Sequence, residues 1–486
     1  MALSVGLRSV FCAAILLAAA NGASAADGQP AAAFGPEVSL VEPTGGFVGK
    51  LELDSYQGQI GTPIAVTGTD LPANETLDLV WRTSIGSWKV ENSEYHGREY
   101  KPVGYLIQKV TTDADGGFTA SFNAPEDFGF WHDVTVQNAE RVFNQATFYI
   151  DMTITLKPES GPVGTPINVE VKGIGRQQLQ NSWMLLYDNK YTGWISSVST
   201  GGSASFVIPA AGGPGTHVIE VQHGDFTFPY RNMQQSPEPD RPRFALNFEI
   251  TDGAAVIPAP VDQQILTSVR DLPPVGDLTV TPSFSVVGQP VTVAGSGFEP
   301  GKSYPVNWTT VTGNRVDGHG WEENSSVIAE ATADAAGNIE FSLNTPDDLG
   351  GSHTLWIDDG GTQREGTIWI SPSAAPIDVG SGPAGTTFTL NIKGVGWSET
   401  ANIYTIVYDN AYIGYSCGFN SQGTLEIILH ATGEPGMHFI DLYPAIYKGK
   451  EGRPKNFRIP QLTAAEDHPG EEIPIFRYAF EVTAPN

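Results

Sequence analysis

Gly414-Tyr415-Ser416-Cys417-Gly418 is the one stretch of this chain that spells a catalytic motif, G-x-S-x-G. In a hydrolase the motif works because a strand turns sharply into a helix and strains the serine outward, next to a histidine and a carboxylate held by an α/β sheet. Here no helix-period stretch or βαβ alternation surrounds it, and the equivalent stretch of an internal repeat, Gly193-Trp194-Ile195-Ser196-Ser197, lacks it. Asp113-Ala114-Asp115-Gly116 sets carboxylates at i and i+2 before a glycine, as a calcium loop begins, but the twelfth-position glutamate is missing and the sister stretch keeps only Asp334. That favours a plain turn. His132, His217, His353 and His438 sit at matching places in four repeats, and one imidazole per domain is no ligand set. The expectation is a protein with no metal, no cofactor and no catalytic residue, hence not an enzyme.

Two groups of residues are candidates for binding. Tyr187-Asp188-Asn189-Lys190-Tyr191 recurs as Tyr408-Asp409-Asn410-Ala411-Tyr412. Asp-Asn between strand-like runs makes a tight turn, because both side chains tolerate left-handed backbone. The functional alternative is that the flanking tyrosines, amphipathic and stiff, present a face to a glycan or a partner protein. The second group is Trp88, Tyr95, Tyr100 and Tyr105, in a segment, 86–106, that is rich in charged and Gly residues. No core demands aromatics there, and an aromatic loop at the end of a sandwich is a normal place for recognition. Trp81 and Trp308, in mid-strand, read as core.

The elements that must hold these residues repeat. Gly61-Thr62-Pro63, Gly164-Thr165-Pro166, Gly288-Gln289-Pro290 and Gly385-Thr386-Thr387 each open a run of period-2 alternation, and a Gly shortly before each of the four histidines opens a later strand. His132 to His353, His217 to His438 and Gly164 to Gly385 all differ by 221, whereas Gly61 to Gly288 and Trp81 to Trp308 differ by 227. The six-residue difference falls between the Trp and the His, in the interval that holds 86–106. The order is A-B-A′-B′, one pair copied whole. Short strands, Asp/Gly hairpins and no helical period predict an all-β chain of four tandem immunoglobulin-like β-sandwich domains. Expected bounds are 45–150 for A, 151–251 for B, a proline-rich linker over 252–277, 278–372 for A′ and 373–486 for B′.

Ahead of these, Arg8, an apolar run and the small residues 23–26 form a signal peptide over 1–26, followed by a flexible leader over 27–44. No other stretch is apolar for long enough to be a transmembrane helix. The two cysteines are Cys12, in the signal, and Cys417, so no internal disulfide holds the mature domains. Net charge is −28, which makes nucleic acid and anionic lipid poor partners.

Gly164-Thr165-Pro166 with Gly173-Ile174-Gly175, Gly288-Gln289-Pro290 with Gly295-Ser296-Gly297-Phe298, and Pro214-Gly215-Thr216-His217 resemble bacterial IPT/TIG-type immunoglobulin-like repeats. The resemblance implies the sandwich fold. Such modules serve as spacers, receptor domains, adhesin stalks and enzyme accessories, so it implies no single activity. The B domains depart from a minimal repeat through inserts at 226–242 and 445–474. Three functional readings follow. The first is an exported, non-catalytic binding or scaffold protein of the bacterial periplasm or cell exterior, with a protein or glycan partner and two similar faces that gain avidity if the linker lets both engage. The second is a structural subunit that associates with itself through exposed edges or the B inserts. The third, and weakest, is an esterase using Ser416.

Overall fold

The computed structural model describes residues 34–485 except 92, 178, 182, 226–227, 236–241, 260–272, 274, 314–320, 448–457 and 471. The signal peptide and most of the linker therefore lie outside the described residues. All regular elements described are strands, apart from single turns of 3-10 helix at Met233–Gln235 and Phe419–Ser421. No helix among them is long and apolar enough to cross a membrane.

Each of the four units is a sandwich of two sheets. In A, a three-stranded sheet (Lys50–Leu53, Pro63–Thr69, Phe118–Asn123) faces a larger one centred on Thr76–Glu91 and Phe130–Gln137. Pro63–Thr69 alternates exposed and buried residues along its whole length, as one face against a core requires. The other units repeat this strand order. Each carries a core crossed by an aromatic: Trp81 in A, Trp183 in B, Trp308 in A′ and Tyr404 in B′. The recurring Gly of the opening phrase has a physical cause. Gly61, Gly164, Gly288 and Gly385 all sit at φ between 80° and 94°, where a side chain is strained.

Several strands break the alternation, two of them along nearly their whole length. Trp183–Tyr187 is buried at every residue, and its sister Ile403–Tyr408 at all but the last. A sandwich strand buried on both sides has something packed on its outer face. In B that covering is B′: Val407, Tyr443 and Leu462 join the core of B.

The leader departs from expectation. Residues 27–33 lie outside the described residues, but 34–44 are not a loose tail. Glu37–Val38 pairs with Tyr105 and Gly104 as an added edge strand, Phe34 stacks on Tyr105 at 4.3 Å, and Arg82 donates to Val41 O at 3.1 Å. A two-residue strand is too short to show periodicity. The described start of the linker, 252–259, is tied to B by Val256 N donating to Val163 O at 2.8 Å.

A meets B, and A′ meets B′, through the same backbone joint. Gly129 N donates to Ile174 O (3.1 Å) and Ile174 N to Gly202 O (2.9 Å), while Gly350 N donates to Val395 O (3.1 Å) and Val395 N to Gly423 O (3.0 Å). A Cβ on Gly129 would lie 1.8 Å from Gly173 O, and one on Gly350 2.0 Å from Gly394 O. Both neighbours are backbone and cannot yield cheaply. Gly350→Ala is expected to cost roughly 2–3 kcal/mol, as overpacking does, measured as a lower melting temperature with A′ and B′ no longer melting together.

Candidate functional site

The Trp and His of each A domain belong to one buried assembly. Trp81 Nε1 donates to Asp127 Oδ2 (2.7 Å), Thr83 Oγ1 and Phe128 N donate to Asp127 Oδ1 (2.8 and 2.7 Å), and the His132 ring stacks on Trp81 with centroids 4.8 Å apart. A′ repeats it with Trp308, Asp348, Thr310, Leu349 and His353, and adds Gln422 of B′, whose Nε2 donates to Asp348 Oδ1 at 2.8 Å. A carboxylate out of water needs such donors. Burial holds the His132 imidazole below its ordinary pKa. The set resembles an acid–histidine pair in composition, but all its members are covered and it braces the loop that carries the A–B joint.

The segment 86–106 is not a loop. It is the outer half of a long two-stranded arm, Thr76–Glu91 paired with Glu94–Thr111 from Thr76↔Thr111 to Glu91↔Glu94, with register shifts at Leu79/Val80 and Lys89/Val90. The arm leaves A and crosses B to reach B′. Trp88 lies in an aromatic cluster with Tyr95 (6.1 Å) and Trp194 of B (6.2 Å), and the Arg98 guanidinium sits 5.1 Å from the Trp194 ring. Tyr95 is buried against Met184, Ile446 and Ile459. Near the tip, Tyr95 N donates to Glu399 Oε2 (2.8 Å) and Glu399 N donates to Ser93 O (3.0 Å). Tyr100 packs edge-on against Phe128 and accepts from Asn181 Nδ2 at 3.4 Å. Of the four expected contact aromatics, then, Trp88, Tyr95 and Tyr100 face into the protein, and Tyr105 lies under Phe34. Burial raises the phenol pKa of Tyr95 and Tyr100.

At the centre of this junction is Asp467, from the insert of B′. Its Oδ1 accepts from Trp88 Nε1 (2.9 Å), Ser199 N (2.8 Å) and Ser199 Oγ (2.5 Å), and its Oδ2 from Val198 N (2.7 Å). Three domains share one carboxylate that is 1% exposed. Around it the same insert lays Pro460–Leu462 along the edge strand Lys190–Ile195 of B: Trp194 N donates to Pro460 O (2.7 Å) and Leu462 N to Trp194 O (2.9 Å). Ser196 Oγ and Thr463 Oγ1 lie 2.8 Å apart. Nothing in the sequence singled out Asp467. An available signal was the unbroken apolar run Trp183-Met184-Leu185-Leu186, which calls for a covering partner.

The Tyr-Asp-Asn stretches are turns, as their residue types suggest: Asp188 and Asn189 have φ of 49° and 64°, Asp409 and Asn410 46° and 58°. Each aspartate is held by the repeat's histidine, His217 Nδ1 at 2.6 Å from Asp188 Oδ2 and His438 Nδ1 at 2.5 Å from Asp409 Oδ2, while the second ring nitrogens reach the carbonyls of Gly213 and Glu434. The sisters then diverge. Asn410 is buried, donates to Pro209 O of B (2.7 Å), and its carbonyl accepts from Thr192 Oγ1 (2.6 Å); Asn189 is exposed. Tyr191 and Tyr412, sister residues, meet edge to face at 6.3 Å. Tyr187 is buried in the core of B, while Tyr408 and Asp409 line a groove of about 520 Å³ with Lys190, Ile413, Ile428 and His430.

Ser416 is the penultimate residue of an antiparallel edge strand, Ala411–Cys417, opposite Tyr404. No strand-to-helix elbow is present, and among the described residues no histidine or carboxylate hydrogen-bonds it. Asp113 Oδ1 accepts from Asp115 N and Gly117 N of its own turn, and Asp334 does the same with Ala336 N and Asn338 N. No group of three potential metal ligands occurs among the described residues.

No family model matches the chain, and no curated protein matches it. Among solved structures, the four-domain ectodomain fragment of ICAM-5 aligns over 90% of this chain and 99% of its own length, at 10% identity and a TM-score of 0.18. Invasin, a bacterial integrin-binding protein, aligns over 90% and 79% at 11% identity and a TM-score of 0.17. A membrane-anchored protein from Corynebacterium diphtheriae aligns over 66% and 89% at 9% identity and a TM-score of 0.18. At these scores the likenesses carry no weight for function, and the immunoglobulin-like assignment stands on the sheets and cores described above.

Asp467→Asn keeps the shape but places an amide N–H₂ against donors. It is expected to destabilise the chain by roughly 2–4 kcal/mol, seen as a lower melting temperature together with rapid proteolysis of the arm near Glu91. His438 tests the turn. Its hydrogen bond to Asp409 raises its pKa above the ordinary histidine value. A raised folded pKa means that the stability it contributes is complete below the unfolded pKa of about 6.5 and is lost as pH rises through the folded one. An NMR titration of His438 should give a midpoint above about 6.5, and Asp409→Asn should lower it.

Proposed function

We propose that the mature chain is an exported, non-catalytic binding or scaffold protein of the bacterial cell envelope or exterior, and that its partners are proteins or glycans. The Asp467 junction carries this reading. Aromatic side chains of the kind used in recognition serve here to fix A, B and B′ against one another, which a rigid scaffold needs and a catalytic site would not explain. The resemblance of the repeats to IPT/TIG modules and the strongly acidic composition agree with it. Docking of B′ on B also makes the two pairs one body, which favours fixed presentation over two faces that engage independently.

What the body presents outward is most distinctive on A. Trp131 is 58% exposed on the outer face of the larger sheet, and its ring lies 5.1 Å from that of Tyr149 on the neighbouring strand. Exposed aromatics of this kind offer a flat apolar platform to a sugar ring or a partner's side chain. The test is an affinity capture from the native envelope with the mature chain as bait. A protein or glycan should be retained by the wild type and lost with Trp131→Ala, whose melting temperature stays unchanged. Retention of nothing beyond a bare-matrix control would overturn the binding reading, and ester hydrolysis abolished by Ser416→Ala would overturn the non-catalytic one.

A further inference from the structure

Duplication lets the two A domains be compared face by face. In A, the residues after the added edge strand cross the outer face of the larger sheet: Gln137 Nε2 donates to Ser39 O (3.2 Å), Arg82 Nη1 to Val41 O (3.1 Å) and, farther on, Val48 N to Phe143 O (2.8 Å). Thr135 and Gln137, which point outward, are buried beneath this segment. In A′ the pairing register assigns the sister positions: Arg82 becomes Thr309, Thr135 becomes Trp356, Gln137 becomes Asp358 and Gly104 becomes Ser325. Both long donors that hold polypeptide on A are thereby gone, and an indole stands in place of a threonine. Among the described residues this half of the A′ face is open, with Ser325, Ser352 and Asp358 exposed and Val327 60% exposed.

We propose that the outer face of the larger A′ sheet binds a neutral polysaccharide laid over its strands. Trp356 Nε1 donates to Thr309 Oγ1 on the neighbouring strand (3.2 Å), which lies 2.9 Å from Ser325 Oγ on the next, so the indole is tied down across the sheet. Trp369 is half-buried, its ring parallel to that of Phe284 within 3° at 6.4 Å. Its cross-strand partner Ser352 lies four residues before Trp356, which puts the two tryptophans roughly 14 Å apart along the sheet. Thr354 and Thr367, paired with each other, fill the interval. Apolar rings at both ends with hydroxyls between them match the stacking faces and hydroxyl rims of consecutive sugar rings. Charge narrows the class. No outward residue between the two indoles is ionisable, while Asp358 and Glu365 beside Trp356, in a chain of net charge −28, repel an anionic polymer. An extended peptide would need its carbonyls held, and the Gln and Arg that do so in A are the residues that A′ lacks. This inference rests on the binding reading above and adds to it a face and a class of ligand.

The test is affinity electrophoresis of the mature chain in gels containing hydroxyethyl cellulose, galactomannan or dextran, with alginate as the acidic control. At least one neutral polymer should retard the chain, and alginate should not. Trp356→Ala, and Thr354→Arg, which fills the interval and leaves both indoles in place, should each weaken the apparent affinity about tenfold or more with unchanged melting temperature. Trp131→Ala should leave it as it is. Migration unaffected by all three neutral polymers would overturn the proposal, as would retardation that neither A′ substitution weakens or that alginate produces equally. Envelope capture that still depends on Trp131 after such a result would leave the binding reading standing while this one falls.

Discussion

The arrangement of three of the four domains depends on a single desolvated carboxylate. Asp467 could not remain buried and charged if either set of its donors were withdrawn, because an anion out of water is tolerated only with its hydrogen bonds made. Those donors come from the arm of A and from the loop after Lys190–Ile195 in B. The arm, the B loop and the B′ insert therefore stand or fall together. The apolar cluster of Tyr95, Met184, Trp194, Ile446 and Ile459 is buried in the same junction, and the hydrogen bonds fix its geometry.

Much of the fold was legible in the sequence because it rests on local backbone demands. A Gly at positive φ, an Asp-Asn turn and an Asp/Gly hairpin are each required by the conformation of a few neighbouring residues, so they recur wherever the unit recurs. Constant offsets of 221 then order the copies. The six-residue excess in A was also visible, but its purpose was not. Gly86, Gly97 and Gly104 among charges look like a loop, and the alternation of Trp88, Val90 and Tyr95 with polar residues is broken by the turn at the arm's tip. Asp467 was hidden for a simpler reason. Its partner Trp88 is 379 residues away, and an isolated acid in an insert has no periodicity to betray it.

The sister turns show how duplication separates residue identity from role. Asp188-Asn189 and Asp409-Asn410 keep the same backbone and the same histidine bond, yet Asn410 is seated in B while Asn189 faces water. Identical sequence preserved the turn, which is a local requirement. Whether a side chain is buried was decided by what the other copy placed opposite it.

The junction also closes a ring in the chain. From B the polypeptide passes through the linker and A′ before it reaches B′, but the Asp467 contacts join B′ directly to A and B. Tension applied between the two ends would be borne by this shortcut, with the linker and A′ carrying no load while it holds. Extension would then begin with rupture of this junction, before load reaches A′ at all.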